Sequence, residues 1–295
     1  DYDTLPLPDY TMVNLRRYKE MLLGGPFATV QTARGCPYAC TYCTSPQDSR
    51  YVTRSPKRIV EEIEGLARLN VKVFRFLDDT FTASKERVIT VCQEILRRKI
   101  VMKWSCLSRV DTLDAEMLSW MEEAGCVRVI VGVESYAPGI LGVFGKRIAP
   151  ETINSRLRLI REAGMESLGF IVVGGPFESE ADFELTRRGL LSSPLDLVIV
   201  HTISIYGGSA MAQRFKSEIE FQLMPYISRW NNPDIDRIAL QREKTLYRQF
   251  YFRPRILLRQ MYTIFRYPAR SFRLFLLLIS FLSSSSQNRE RKDLF

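Results

Sequence analysis

The residues most able to do chemistry are three cysteines crowded into one short segment. Cys36, Cys40 and Cys43 stand in TARGCPYACTYCTSP with C-x3-C-x2-C spacing. Soft thiolates select iron–sulfur clusters, zinc or copper(I), and three on one loop can wrap such a centre. Three is one short of a closed tetrahedral site, and no fourth Cys or His lies close by in sequence. The centre would keep an open position, which marks catalytic rather than structural sites. Gly35 relieves crowding where the backbone must curl, and Tyr42 sets an aromatic face beside the third thiol. Two plainer readings stand next to this one: a zinc knuckle closed by a distant ligand, or three buried thiols. Cys92, Cys106 and Cys126 form no CxxC pair and read as core thiols. His201 is the single histidine, inside the apolar run LVIVHTISIY, and reads as a core or pocket-lining side chain. One histidine makes a His-rich metal site or a Ser–His–Asp triad hard to build.

Such a loop needs a scaffold, and the first 206 residues supply a repeating one. Short apolar runs predict strands over Phe27–Ala33, Val71–Leu77, Lys103–Leu107, Val127–Val133, Ser167–Val173 and Leu197–Ile203. Most are rich in Val, Ile or Phe, as buried parallel strands tend to be. Helices are expected between them. Ser55-Pro56 opens one, with Ser as N-cap and Pro at the first helical position. Ile59, Ile63, Leu66 and Leu69 recur along it at helical spacing. Ser84 and Asp114 can cap the next two, and Pro150 starts another that runs to Ala163. Gly125 and Gly164 follow Ala124 and Ala163 where a helix end favours a left-handed residue. About six βα repeats imply a parallel sheet with right-handed crossovers. A doubly wound sheet and a barrel of βα units both satisfy the pattern. In either, chemistry belongs in the loops after the strands' C-terminal ends.

At its cysteine loop the chain resembles the radical S-adenosylmethionine (SAM) superfamily. The signature of that family is C-x3-C-x2-C, with an aromatic before the last cysteine, after the first strand. The resemblance runs over roughly residues 1–206 and implies a partial (β/α)6 TIM-like barrel, an α/β fold, over residues 27–206. It implies that Cys36, Cys40 and Cys43 hold three irons of a [4Fe–4S] cluster, and that SAM chelates the fourth iron through its amino and carboxylate groups. One-electron reduction would then release a 5′-deoxyadenosyl radical that abstracts a hydrogen atom. Further motifs extend the likeness. Asp78 and Asp79 in FLDDTF stand where the family contacts the SAM amino group, although an Asp pair there could simply cap the next helix. Arg109 ends WSCLSRVD, where a solvated arginine is the alternative. Gly132–Ser135, with Glu134 and Ser135, corresponds to the part that holds ribose and amino acid, and Lys146 to a partner for the SAM carboxylate. Gly174-Gly175-Pro176 and Glu178 resemble the turn near the adenine. Tyr136 and Phe177 replace small residues that relatives carry. An auxiliary cluster on Cys92, Cys106 and Cys126 is a minority reading.

The spellings DDTF, GVES and GGPFES look most like the branch that carries a cobalamin-binding module before the barrel. That branch includes C-methyltransferases and ring-forming cyclases. Residues 1–26 read as its linker. The module is absent from this chain, and His201 lacks the Asp-x-His-x-x-Gly context of a cobalt ligand. The first residue is not Met, so a lost upstream segment is the favoured expectation.

Composition narrows the rest. Of 295 residues, 46% are apolar and 25% charged, which is globular usage. The net charge of +9 invites a nucleic acid or anionic membrane as partner. Yet residues 1–206 hold 26 basic and 26 acidic side chains, and residues 207–295 hold 16 and 7. The excess belongs to a basic region, 207–295, expected to be mostly helical, with a helical stretch Ile235–Phe252 and a disordered Ser-rich terminus. It reads first as a cover for the substrate pocket. Peripheral membrane contact through Leu274–Leu282, flanked by Arg266, Arg270 and Arg273, is the second reading. Nucleic acid is disfavoured. No run of about 18 apolar residues exists for a membrane span, and the acidic start is unlike a signal peptide. The expected protein is cytoplasmic or peripheral at the inner membrane surface. It would act on a small or lipid-like substrate, with an electron donor such as flavodoxin or ferredoxin. An RNA-modifying methylthiotransferase and a zinc-bearing nucleic-acid-binding protein are the alternatives.

Overall fold

The computed structural model describes residues 2–20, 25–44, 50–221 and 227–258. The apolar stretch Leu274–Leu282, its flanking arginines and the Ser-rich terminus lie outside the described residues. Six parallel strands make the central sheet: β1 (Phe27–Val30), β4 (Val73–Phe76), β5 (Lys103–Arg109), β6 (Cys126–Glu134), β7 (Glu166–Val173) and β8 (Leu197–Thr202). A short antiparallel pair, β2 (Ala33–Arg34) and β3 (Val52–Thr53), brackets the cysteine loop. The crossovers are α1 (Pro56–Arg68), α2 (Lys85–Arg97), α3 (Ala115–Glu123), α4 (Pro138–Val143) with α5 (Pro150–Glu162), and α6 (Glu180–Ser192).

The strand order is β1-β4-β5-β6-β7-β8, which keeps the order of the chain. A doubly wound sheet reverses its direction of growth at a switch point. This sheet never does, so its helices collect on one face and it curls into a partial barrel. Every sequence-expected strand is present, with ends moved by a few residues. The caps are also as read: Ser55, Ser84 and Asp114 accept backbone amides at the starts of α1, α2 and α3. Gly125 and Gly164 take φ of 93° and 79° after α3 and α5.

Burial alternates along the strands. One face, with Val30, Phe76, Trp104, Val131 and Val200, packs under the helices in the main core. The other face is concave and less covered. Low in the barrel it carries Arg128, whose guanidinium pairs with Glu166 at 2.5 Å and reaches Glu20 at 3.4 Å.

An open barrel has two free edges, and each is met by tyrosine. On β8, the Tyr251 hydroxyl accepts from the Val198 amide and donates to the Val198 carbonyl (3.2 and 2.9 Å). Tyr247 does the same for Val200 (3.0 and 3.2 Å). Both lie on α8 (Pro233–Tyr251), one turn apart, so a helix face supplies what a neighbouring strand would. On β1, the Tyr10 hydroxyl lies 2.9 Å from Thr29 O and 2.6 Å from Glu62 Oε1, so its one proton is shared between two acceptors.

Between β8 and α8 the chain makes β9 (Ile205–Tyr206), α7 (Ala210–Arg214), β10 (Ile219–Phe221) and β11 (Ile227–Trp230). The three strands pair antiparallel in the order β10-β11-β9. This small sheet departs from the mostly helical region expected. Its Trp230 packs with Phe215 and Phe177 at ring separations of 5.6 and 6.3 Å. Phe177, which replaces a small residue at its turn, thus ties the barrel to the small sheet.

Tyr136 has its own accommodation. Its ring lies over Gly189 of α6, where a Cβ would meet Tyr136 Cγ at 2.2 Å. Gly189→Ala would gain about 1 kcal/mol of helix propensity at an open site. Here the ring cannot retreat, because its hydroxyl donates to Asn154 at 2.8 Å and the side chain is buried. The substitution should lower stability by about 1–3 kcal/mol, read from urea unfolding; a stability gain would show that the helix has room.

Candidate active site at the C-terminal ends of the strands

The cysteine loop is positioned by a buried carboxylate. Asp78 comes after β4 and is 1% exposed. Its Oδ1 accepts from the Thr32 and Ala33 amides at 2.6 and 3.0 Å, and its Oδ2 accepts from the Thr32 hydroxyl. Arg87 of α2 supplies the countercharge at 3.5 Å. Further along the loop, Thr41 forms a second anchorage. Its amide and hydroxyl donate to Phe144 O and Val143 O at 3.1 and 2.6 Å, and its carbonyl accepts from the Met211 amide at 2.8 Å. Gly145 allows this approach: its φ is 69°, and a Cβ there would stand 3.0 Å from Ala39 O.

Between these anchorages Cys36, Cys40 and Cys43 are half-buried, and none is in a disulfide. Cys36 Sγ lies 3.5 Å from the Thr80 hydroxyl. Arg109 Nη1 donates to Cys40 Sγ at 3.2 Å. Among the described residues, no three His, Cys, Asp or Glu side chains converge on one ion's position. A multi-iron cluster asks for a different arrangement, one thiolate per iron spread around a polynuclear core. Three thiols outside any disulfide on one anchored loop fit that demand, whereas a closed single-zinc site needs four convergent ligands.

Beside the loop, Glu134 ends β6 with φ of 66°, a left-handed conformation that non-glycine residues adopt at a cost of about 1–3 kcal/mol. The turn brings its carboxylate inward, 7% exposed. Lys146 and Tyr42 both donate to its Oε1 at 3.0 Å. Lys146 also donates to Gly132 O at 2.7 Å. Burial and the Glu134 charge push the Tyr42 hydroxyl far upward, so it stays a proton donor. Its ring meets Phe144 edge-on at 5.1 Å.

Three of the expected SAM contacts are engaged by the chain's own groups in this structure. Asp78 is occupied by the end of β1. Ser135 is fully buried, bonded to the Thr186 hydroxyl and the Ala137 amide. Lys146 is the buried counter-ion of Glu134. All three are buried and hydrogen-bonded within the chain. Asp79, the other member of the acidic pair, is exposed. Neither Asp caps α2, whose N-cap is Ser84. Arg109 is not the solvated arginine of the alternative reading; it is buried.

Gly174 and Gly175 both have φ of 98° in the turn after β7. The Gly174 amide donates to Glu178 Oε2 at 2.7 Å, and Arg242 of α8 donates to the same oxygen at 2.7 Å. Burial pushes the Glu178 carboxyl upward, against the Gly174 amide and the Arg242 charge. Sequence reasoning missed Arg242, Thr41 and Met211, because their partners are far away along the chain. Cys92, Cys106 and Cys126 are buried in the main core. His201 is not a core residue: it is exposed on the concave face, 5.6 Å from the Phe170 ring. The middle of that face is apolar, with Leu77, Leu107, Leu168 and Ile199 all outside the helix-packed core.

Comparison with known proteins points the same way. A family model described as the radical SAM superfamily matches residues 30–189, more than half of the chain. An uncharacterized methyltransferase of Pyrococcus horikoshii is 29% identical over 274 residues, covering 88% of this chain and 58% of that protein. The anaerobic magnesium-protoporphyrin IX monomethyl ester cyclase of Cereibacter sphaeroides is 29% identical over 284 residues, covering 92% of this chain and 44% of that protein. The chain therefore spans about half the length of these relatives. Among solved structures, the cobalamin-dependent S-adenosylmethionine radical enzyme OxsB, with aqua-cobalamin and S-adenosylmethionine bound, shares the fold. Its TM-score is 0.66 at 16% identity, covering 84% of this chain and 46% of that one.

The Glu134–Lys146 pair can be tested without any ligand. Lys146→Met strands a buried carboxylate and should destabilise by about 3–5 kcal/mol in chemical unfolding. Adding Glu134→Gln should recover much of that loss. A single variant as stable as the parent would mean that the pair is not buried as described.

Proposed function

The chain belongs to the radical SAM superfamily, and from that premise we propose that it carries out C-methylation or oxidative cyclisation of a small or lipid-like substrate. The observation that carries the radical SAM reading is the anchored loop of three disulfide-free thiols at the C-terminal ends of a partial barrel's strands. Cys36, Cys40 and Cys43 would hold the [4Fe–4S] cluster. Bound there, cluster and SAM supply one-electron cleavage of the sulfonium to a hydrogen-abstracting carbon radical.

The chain's own residues bind and exclude water. Tyr42 packs its ring edge-on to Phe144 and keeps its proton beside Glu134. Among the described residues, Tyr42 and Lys146 both donate to Glu134 Oε1, and Oε2 would accept from an amino or hydroxyl group of the cofactor. Asp79, exposed next to the loop, is the second acceptor for an amino group. The positive-φ turn at Gly174 and Gly175 brings backbone close to a flat ligand, and Arg242 holds it in shape through Glu178.

Relatives named as a methyltransferase and as a cyclase support the two reaction outcomes. Cobalamin, carried by a part of the protein outside this chain, is the cofactor we propose for the methylating outcome; a structural neighbour that is cobalamin-dependent supports it. The apolar middle of the concave face supports a substrate with a substantial hydrocarbon part. The small sheet β9–β11–β10 gives no support to the RNA-modifying alternative. Its strands are two to four residues long, and Ile205, Ile219 and Trp230 are buried in one cluster with Phe144 of the barrel. It is a cover, not a separate module.

Anaerobic reconstitution should load about four irons per chain, as a [4Fe–4S] cluster requires. The brown product should release 5′-deoxyadenosine from SAM under reduction. Cys36→Ala, Cys40→Ala or Cys43→Ala should each abolish that release; SAM cleavage that survives any of them would sink the assignment. A colourless protein with one bound zinc would instead revive the nucleic-acid-binding alternative.

A further inference from the structure

Arg109 stands at the end of β5 with its side chain 9% exposed, and its guanidinium is divided among three neighbours. Nε and Nη2 form a two-point ion pair with Asp111, at 3.0 Å to Oδ1 and 2.9 Å to Oδ2. The Tyr38 ring lies 4.0 Å from Cζ. That leaves Nη1 aimed outward, and it donates to Cys40 Sγ at 3.2 Å. The fork is held from behind as well. Asp111 sits in a single turn, Val110–Thr112, and the Thr112 hydroxyl donates to Arg109 O at 2.9 Å. A guanidinium is planar, so fixing two of its nitrogens and one face fixes the direction of the third nitrogen.

Cys36 is placed differently. It faces the neutral hydroxyl of Thr80 at 3.5 Å. The Thr80 hydroxyl donates to Asp79 O at 2.8 Å and so is an acceptor beside Cys36, while a buried cation points at Cys40. Charge near a cluster, and hydrogen bonds to its sulfurs, set its reduction potential. A charge-assisted N–H···S bond stabilises the more negative, reduced state, and does so more strongly than a neutral bond.

We propose that Arg109 is a positioning residue that raises the reduction potential of the cluster through Cys40, with Asp111 and Tyr38 setting its aim. This rests on the reading of Cys36, Cys40 and Cys43 as cluster ligands. It gives Arg109 a task directed at the protein's thiolate rather than at SAM. The Asp111 carboxylate is held on the far side of the guanidinium, so its opposing charge acts on the sulfur from a greater distance.

The test is a potentiometric titration of the full chain, reconstituted anaerobically and followed by electron paramagnetic resonance without SAM. Arg109→Gln should keep four irons and shift the potential negative by at least about 59 mV. That is a tenfold change in the ratio of reduced to oxidised cluster at fixed potential. Arg109→Lys keeps charge but loses the fork and should shift less, in the same direction. A fully loaded Arg109→Gln protein with the parent's potential overturns the proposal. Should that variant lose iron, Arg109→Lys decides: an unshifted potential there overturns it equally. Failure of the unaltered protein to bind iron would overturn the cluster reading, and this inference with it.

Discussion

Asp78 accepts hydrogen bonds from the Thr32 and Ala33 amides, and through them it decides where β1 stops being a strand. The first parallel strand is four residues long. Beyond it the chain must leave the ladder with its amides satisfied, because an unpaired buried amide is expensive. A carboxylate from the neighbouring strand's end meets that need and takes Arg87 as its countercharge. The cysteine loop therefore starts from a fixed point, with Thr80, two residues after Asp78, already facing Cys36. The anchorage at Thr41 works from the other side. Together they place the thiols before any cofactor arrives, which is preorganisation in the ordinary sense.

The same economy governs the charges around the loop. Glu134 has Lys146, Arg109 has Asp111, and Glu178 has Arg242. Each buried ion carries its partner within the chain, so the protein does not rely on a ligand to neutralise it. What is left over is directional: one guanidinium nitrogen points at sulfur. The +9 of the whole sequence plays no part in this, since residues 1–206 are balanced.

Much of the scaffold was legible because it rests on local rules. Caps at Ser55, Ser84 and Asp114, left-handed glycines after α3 and α5, and the strand runs all come from a few consecutive residues. The three-cysteine loop was legible for the same reason, since all three thiols lie within a few residues of one another. Barrel and doubly wound sheet were not separable, because both repeat βα units and differ only in which strands pair. The roles of Asp78 and Asp79 were not separable either: adjacent residues point to opposite sides, and only the register of β4 says which turns inward. Ser135 and Lys146 looked like ligand contacts by position, yet their partners, Thr186 and Glu134, come from tertiary packing. Tyr136 and Gly189 explain each other, but 53 positions apart no spacing rule connects them. The strands β9, β10 and β11 were too short to produce a periodic signal.

The tyrosines at the barrel's edges have one more consequence. A closed barrel is locked by ladder hydrogen bonds around its whole circumference. Here the ladder ends at β1 and β8, and each rim is capped by side chains from its own flanking segment, Tyr10 on one side and Tyr247 with Tyr251 on the other. Among the described residues β1 and β8 are not paired with each other, so the seam can spread without breaking the sheet. The capped rims also offer little to a foreign strand seeking a partner. The thiol loop leaves from one of these rims, and its ties to β4 and α4 hold it to the paired part of the sheet rather than to the seam.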